Sequence, residues 1–525
     1  MKKLFALLLA LTMTFQLAQP VWAETVATEP TQTTQTPEKT EETVPESTEP
    51  ETTEPAVPAQ TEATETTAPE TTEASVPESE EPQPAADPSA EEVPVPQSDS
   101  TGVCGESLTW TLAGGTLTIS GSGAMTDYGE SNNAPWYSGR EQITAVTVDQ
   151  GVTGIGAYAF YGCVNIRDVT LPEGLTKIGQ YAFKGCSALG RVEILSGMTT
   201  LGAYAFTESG ITEIVLPEGL QTVEYDAFNN CTNLRSVSLP STLQDLGSST
   251  FYNCSALTAI TLPQSLTKIG SQCFYGCSGL TEIEIPSQVT SIEWGTFQNC
   301  TALKSVTMYE GLTSVGASAF SGCEALTQVT LPESVTELGG SAFSGCKNLT
   351  TVNLPQGITK IQNSLFSGCS SLAAITIPGS VLTIESSAFS GCSSLTAVEI
   401  PTGVSTIGSY AFSRCTSLTE MVIPEGVSSI GYETFYKCTS LERVDIPARV
   451  AAIGERAFSG CAKLTAITFG HRQEDPLTIG EEAFYVGYYG DNVKTRIGVY
   501  SVRGIHPAIQ SYAWEKRTVT YYNTE

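Results

Sequence analysis

Apolar and polar positions recur along the chain with a period near 23 residues. Leu326–Asn348 reads LTQVTLPESVTELGGSAFSGCKN, Leu349–Ser371 reads LTTVNLPQGITKIQNSLFSGCSS, and Leu257–Gly279 reads LTAITLPQSLTKIGSQCFYGCSG. A phenylalanine anchors each unit, at Phe160, Phe183, Phe206, Phe228, Phe251, Phe274, Phe297, Phe320, Phe343, Phe366, Phe389, Phe412, Phe435, Phe458 and Phe484. The steps are 23 residues, except 22 before Phe228 and 26 before Phe484. A fixed period of this length marks a solenoid or another repeat array.

The pattern inside one unit predicts its elements. In Leu257–Gly279 the apolar positions are Leu257, Ile260, Leu262, Leu266, Ile269, Phe274 and Cys277. Ile260 and Leu262 alternate with Thr261, the period of a half-buried strand. Pro263 ends that strand, because it has no N–H for a ladder. A second extended piece, Leu266–Ile269, follows, and Gly270 allows a bend. Ser271–Cys277 is then expected to turn helically and carry Phe274 inward. One such coil cannot bury its apolar face alone, whereas stacked coils bury a continuous core. The predicted fold is a β-rich solenoid of about 14 coils of 23 residues, each with short parallel strands and a helical turn.

The consensus LxxVxLPxxLxxIGxxAFxGCxx resembles the bacterial BspA-like leucine-rich-repeat family, over about Val152–Gly487. The resemblance implies a leucine-rich-repeat solenoid on a secreted or surface protein, of a kind proposed to adhere to host or bacterial surfaces. Fold alone does not fix a ligand.

Composition divides the rest of the chain. Residues 1–23 read as a signal peptide, with Lys2 and Lys3, an apolar run Leu4–Leu17, and Val21 and Ala23 before a cleavage point. Residues 24–100 hold twenty acidic residues against Lys39 alone, with no aromatic residue. Such a segment cannot bury enough to fold, so it is expected to be a disordered, solvated stalk. The formal net charge of the whole chain is −31. An acidic balance of that size argues against nucleic acid, which needs a basic surface. Residues 101–150 are expected to cap the first coil, with Leu108–Leu112 and Thr116–Ser120 as a hairpin around Gly114-Gly115 and with Trp110 and Trp136 in its core. Residues 151–487 form the solenoid, and 488–525 a closing cap with a short helix at Ala508–Trp514 and a last strand at Thr518–Tyr522. Leu195 and Tyr309 in place of proline, and Ser209 in place of cysteine, mark points expected to bend the stack or interrupt a ladder.

Thirteen of the fifteen cysteines lie three residues after a repeat phenylalanine, from Cys163 to Cys461. Parallel side chains in a ladder do not converge as a disulfide requires. They read as buried small hydrophobes with a weak donor, Cys273 reads as another filler, and Cys104 falls in the cap. The absence of Cys-x-x-Cys and the presence of only two histidines argue against zinc, and no cofactor motif is visible. His471, in an insertion near Gly470–Pro476, and His506 are expected at the surface, outside any catalytic motif. Glu282 and Glu284 flank Ile283 on an outward strand face and read as solvated. An enzyme is therefore not expected.

Outward strand positions are mostly small or polar, as at Thr261, Thr307, Thr330, Thr376, Glu193, Glu284 and Glu399. Tyrosines stand apart from these. Tyr158, Tyr181 and Tyr204 hold one position in three successive coils, two residues before the phenylalanine, and Tyr252 and Tyr275 pair at another. Such a strip either docks an extracellular protein or glycan or covers the coil edge. The expected function is non-enzymatic recognition or adhesion by a secreted, cell-surface solenoid, with no transmembrane segment after signal cleavage. The alternative is a structural spacer of the envelope without a specific ligand.

Overall fold

The computed structural model describes residues 100–485 except 196 and 472–474, together with Ala508 and the strands Ile497–Ser501 and Val519–Asn523. The expected signal peptide, the stalk as far as residue 99, His506 and the helix expected at Ala508–Trp514, apart from Ala508 itself, lie outside these residues. The described residues belong to one compact unit, Glu92–Glu525.

This unit is a β-solenoid. In the coil that begins at Leu326, Gln328–Thr330 and Glu337–Leu338 are strands, and Leu326, Val329, Leu331, Val335, Ala342, Phe343 and Cys346 are buried. The phenylalanines form one continuous stack. Their ring centroids lie 5.0 Å apart at Phe160–Phe183 and 5.8 Å apart at Phe343–Phe366, the two extremes of the row. Trp136 starts it, 5.9 Å from Phe160 and nearly parallel, with its Nε1 donating to the Ala159 carbonyl at 2.8 Å. Trp110 meets Trp136 edge-on at 5.7 Å. Both tryptophans are buried and extend the core into the N-terminal hairpin.

That hairpin is Leu108–Ala113 against Thr116–Gly121, with Ser100–Gly105 antiparallel on its outer edge. Thr116–Gly121 also pairs in parallel with Ala145–Val148, which pairs with Asp168–Thr170. The antiparallel lead-in thus passes directly into the parallel ladder. At the other end Ala466–Phe469, Ile497–Ser501 and Val519–Asn523 continue the ladder in parallel. The last of these is the strand expected at Thr518–Tyr522, displaced by one residue; the strand at Ile497–Ser501 was not expected.

The expected helical turn is absent, and the backbone shows why. The residue two before each described phenylalanine has positive φ, as at Tyr158 (55°), Ser249 (54°), Gly295 (61°), Ser341 (57°) and Arg456 (55°). The residue two after it is also left-handed, as at Gly162 (69°), Asn253 (55°) and Lys437 (56°). Among the described residues, every non-glycine residue with positive φ occupies one of these two places. A right-handed helix cannot contain either conformation. Hydrogen bonds instead alternate in direction. Cys273, Tyr275 and Cys277 donate back to Gly270, Gln272 and Phe274 in their own coil, while Gln272, Phe274 and Gly276 donate to Trp294, Thr296 and Gln298 in the next. The same three bonds join every pair of coils from Tyr158 to Tyr485, without a gap.

The strand side is less continuous. Arg191–Glu193, Glu213–Val215 and Ser236–Ser238 form one parallel sheet. Glu282–Glu284 pairs with Ser305–Thr307, and Gln328–Thr330 with Thr351–Asn353, as separate two-stranded sheets. The strand expected at Ile260–Leu262 is not formed, although both side chains are buried. This ladder is interrupted between Asp168–Thr170 and Arg191–Glu193, in the coil that carries Leu195, and again after Ser305–Thr307, just before Tyr309, but it runs past Ser209 from Arg191–Glu193 to Ser236–Ser238.

Threonine and serine at the coil corners bond to the coil before. Thr313 Oγ1 donates to the Thr290 carbonyl at 3.0 Å and Thr350 Oγ1 to the Thr327 carbonyl at 3.0 Å. Ser370, Ser393 and Thr416 form a successive series of such bonds. Each of these carbonyls also accepts a backbone N–H from the same following coil, so the hydroxyl is a second donor to it.

Candidate functional site

The cysteines belong to the scaffold. All fifteen are buried free thiols. Cys254 Sγ donates to the Phe228 carbonyl at 3.2 Å, and the same bond recurs as far as Cys461 on Phe435 at 3.1 Å. Each thiol of this series is therefore a small core side chain and a weak donor that ties its coil to the phenylalanine of the coil before. Ser209, which replaces one cysteine, is buried with its Oγ 3.4 Å from Cys231 Sγ. Burial pushes the Cys163 and Cys369 thiols up to about 12, and Cys346 further. These thiols stay protonated at neutral pH and are poor nucleophiles.

His471 corrects the sequence expectation of a surface residue. It is fully buried, with Nε2 2.6 Å from the Val450 carbonyl and its ring edge-on to Phe469. The Val450 carbonyl supplies the polar contact that a buried imidazole requires. Among the described residues there is no group of three or more His, Cys, Asp or Glu side chains able to hold a metal ion. Glu282 and Glu284 lie exposed on either side of buried Ile283, as their alternation predicts, and Tyr309 donates to Glu284 at 2.8 Å.

The three tyrosines sit on the turn side, at the left-handed place two residues before the phenylalanine (φ 55°, 58° and 56°). All are half-buried. Tyr158 and Tyr181 stack with centroids 4.6 Å apart, and Tyr181 and Tyr204 at 4.5 Å with only 6° between planes. Tyr161 leans on the Tyr158 end at 5.5 Å, and Tyr225 meets Tyr204 edge-on at 5.3 Å. Lys184 reaches between two rings, 5.6 Å from Tyr181 and 6.0 Å from Tyr204, and pairs with Glu208 at 3.8 Å. Burial, reinforced by the Asp226 carboxylate, pushes Tyr204 up to about 12. Burial and then the Tyr181 and Glu130 charges raise Tyr158. Tyr252 and Tyr275 stack separately at 4.5 Å, one residue after their phenylalanines, and the Tyr275 hydroxyl accepts from Asn299.

A second aromatic group was missed by sequence reasoning. Tyr410 meets Tyr432 at 5.3 Å, and Lys437 and Arg456 lie over the Tyr436 ring at 5.0 and 5.9 Å. Arg456 also bridges Glu433 at 3.2 Å and Glu482 at 3.1 Å. Reading the place two before every phenylalanine would have found it, since Tyr410, Glu433, Arg456 and Glu482 interrupt the run Ser318, Ser341, Ser364, Ser387. Between the two groups in the chain, a groove of about 590 Å³ is lined by residues that include Glu293, Gly316, Gly339 and Gln362.

Parallel coils, an unbroken row of buried phenylalanines and polar side chains carried outside them define a leucine-rich-repeat solenoid. The family model described as BspA type leucine rich repeat region (6 copies) matches residues 136–257, 199–324, 292–418 and 382–495. The chain belongs to this family. In structure it is similar to a leucine-rich repeat protein from Bacteroides ovatus, with a TM-score of 0.51 and 23% identity, covering 80% of this chain and 99% of that one. A leucine-rich repeat protein from Eubacterium ventriosum matches at 26% identity and TM-score 0.42, covering 70% and 96%. A leucine rich cell surface protein from Faecalibacterium prausnitzii matches at 27% identity and TM-score 0.42, covering 72% and 97%. No curated protein matches the chain.

Proposed function

We propose that this chain is a secreted, surface-displayed binding protein without enzymatic activity, and that it recognises an extracellular protein or glycan through the turn side of the solenoid. The observation that carries the reading is the tyrosine stack. The left-handed place is common to every coil, and what is particular to this end is that three successive coils fill it with tyrosine. Tyrosine is a common anchor of interfaces. The basic, then apolar N-terminus supports export. No helix among the described residues is long and apolar enough to cross a membrane. In this reading residues 24–100 are the stalk, 101–150 and 488–525 cap the array, and 151–487 carry the site.

The test is binding of the full chain to matrix proteins, mucins and bacterial surfaces, beside a variant with Tyr158→Ser, Tyr181→Ser and Tyr204→Ser. Serine holds the same left-handed place at Ser318 and Ser341 (φ 54° and 57°), so the variant is expected to fold. Saturable binding lost in the variant is the expected result. Binding retained in the variant would move the site off the stack, and no binding to any surface would favour a structural spacer.

A further inference from the structure

The geometry of the tyrosine stack selects among partners. Carbohydrate-binding aromatic platforms offer ring faces to the sugar, whereas here the faces are spent on one another. Tyr181 lies between Tyr158 and Tyr204 at 4.6 and 4.5 Å, and the outer members are covered by Tyr161 and by Tyr225. What remains outward is a row of ring edges and hydroxyls. The neighbouring charge is negative. Lys184 is paired with Glu208, so it adds little net charge. Arg140 is stacked on Tyr137 and lies 4.0 Å from Glu141. Glu130 lies two residues beyond Tyr128, whose N–H donates to the carbonyl of Ala157 next to Tyr158, and Asp226 bears on Tyr204 while accepting a hydrogen bond from Asn229. Glu224 accepts from the Ala203 N–H at 2.8 Å, and its charge also stays at this end of the array.

Resting on the proposed function, we infer that the partner of this site is a lysine- and arginine-rich segment of an extracellular protein, bound across the edges of Tyr158, Tyr181 and Tyr204 and held by Glu130 and Asp226. Phenol oxygens accept from ammonium and guanidinium N–H groups, and a carboxylate beside each end of the row supplies the complementary charge. Arginine brings five N–H donors in a planar fork to such oxygens and carboxylates.

The experiment uses the full chain and two probes, a short lysine- and arginine-rich peptide and a neutral oligosaccharide. Hydrogen exchange over residues 156–230 reads the site itself, so peptide held only by the acidic residues 24–100 gives no signal there. Two variants are compared: Glu130→Gln with Asp226→Asn, which removes charge and leaves the tyrosines, and the triple tyrosine-to-serine change. Asparagine tolerates the left-handed backbone of Asp226 (φ 57°). The peptide is expected to protect 156–230, with affinity falling about tenfold in the charge variant and at least as far in the tyrosine variant. Oligosaccharide protection of 156–230 that is unchanged in the charge variant would overturn the cationic partner and leave the proposed site intact. No protection by either probe, with surface binding retained in the tyrosine variant, would overturn both.

Discussion

The turn side and the strand side of the solenoid are built from the same repeat, yet they are tied together differently. On the turn side every junction from Tyr158 to Tyr485 carries three backbone hydrogen bonds, reinforced by the phenylalanine stack and by a cysteine thiol on the preceding phenylalanine carbonyl in most coils. On the strand side the ladders of the described residues break into separate sheets of two to seven strands, and in the coil from Leu257 no first strand forms. Regular pairing is thus strongest where the chain is neither helix nor strand. The difference teaches that the order of the array resides in its turns, and that the turn side is a rigid support on which a side-chain pattern can be displayed.

Substitutions should reproduce that ranking. Phe343→Ala removes a fully buried ring from the stack and is expected to cost roughly 3–5 kcal/mol, read by chemical denaturation. Gly339→Ala should come next. Its added Cβ would lie 2.2 Å from the Ala317 backbone nitrogen, and such overpacking costs about 1–3 kcal/mol. Cys346→Ala deletes the thiol bond to the Phe320 carbonyl at 3.2 Å and should cost about 1–2 kcal/mol. Cys346→Ser should recover part of that loss, as the natural Ser209 suggests. Native-state thiol labelling should leave Cys346 unmodified until the coil opens, because burial holds its thiol protonated. Thr330→Ala, on the exposed strand face, should change stability by no more than about 0.5 kcal/mol. A strand-face change as costly as Gly339→Ala would erase the distinction between the two sides.

Much of this was legible in the chain. The spacing of Phe160 through Phe484 gives the coil and its core, and one cysteine per coil at a fixed place reads correctly as buried filler. The left-handed turn was not legible at its first place, two before the phenylalanine, which holds residues as different as Tyr158, Ser318, Gly295 and Arg456, so composition carries no signal there. Glycine two residues after the phenylalanine, as at Gly322 and Gly345, was the one available hint, and it is equally consistent with a bend after a helix. The tyrosine row could be read from its repeat position, but not that its rings face one another rather than solvent, since that depends on the coil spacing. The corner threonines carry no mark of their role in the sequence. Their bonds to preceding carbonyls appear only once the register between coils is known.

The measurement that bears most directly on this account is residue-resolved hydrogen exchange of the native chain, comparing the N–H groups of Phe320, Phe343 and Phe366 with those of Val329 and Val352. The first set donates across the coil junctions of the turn side, and the second belongs to a two-stranded sheet on the strand side. Slower exchange at the phenylalanines, by at least an order of magnitude, is the predicted result. Equal protection in the two sets, or greater protection at the valines, would contradict the claim that the turns hold the stack together.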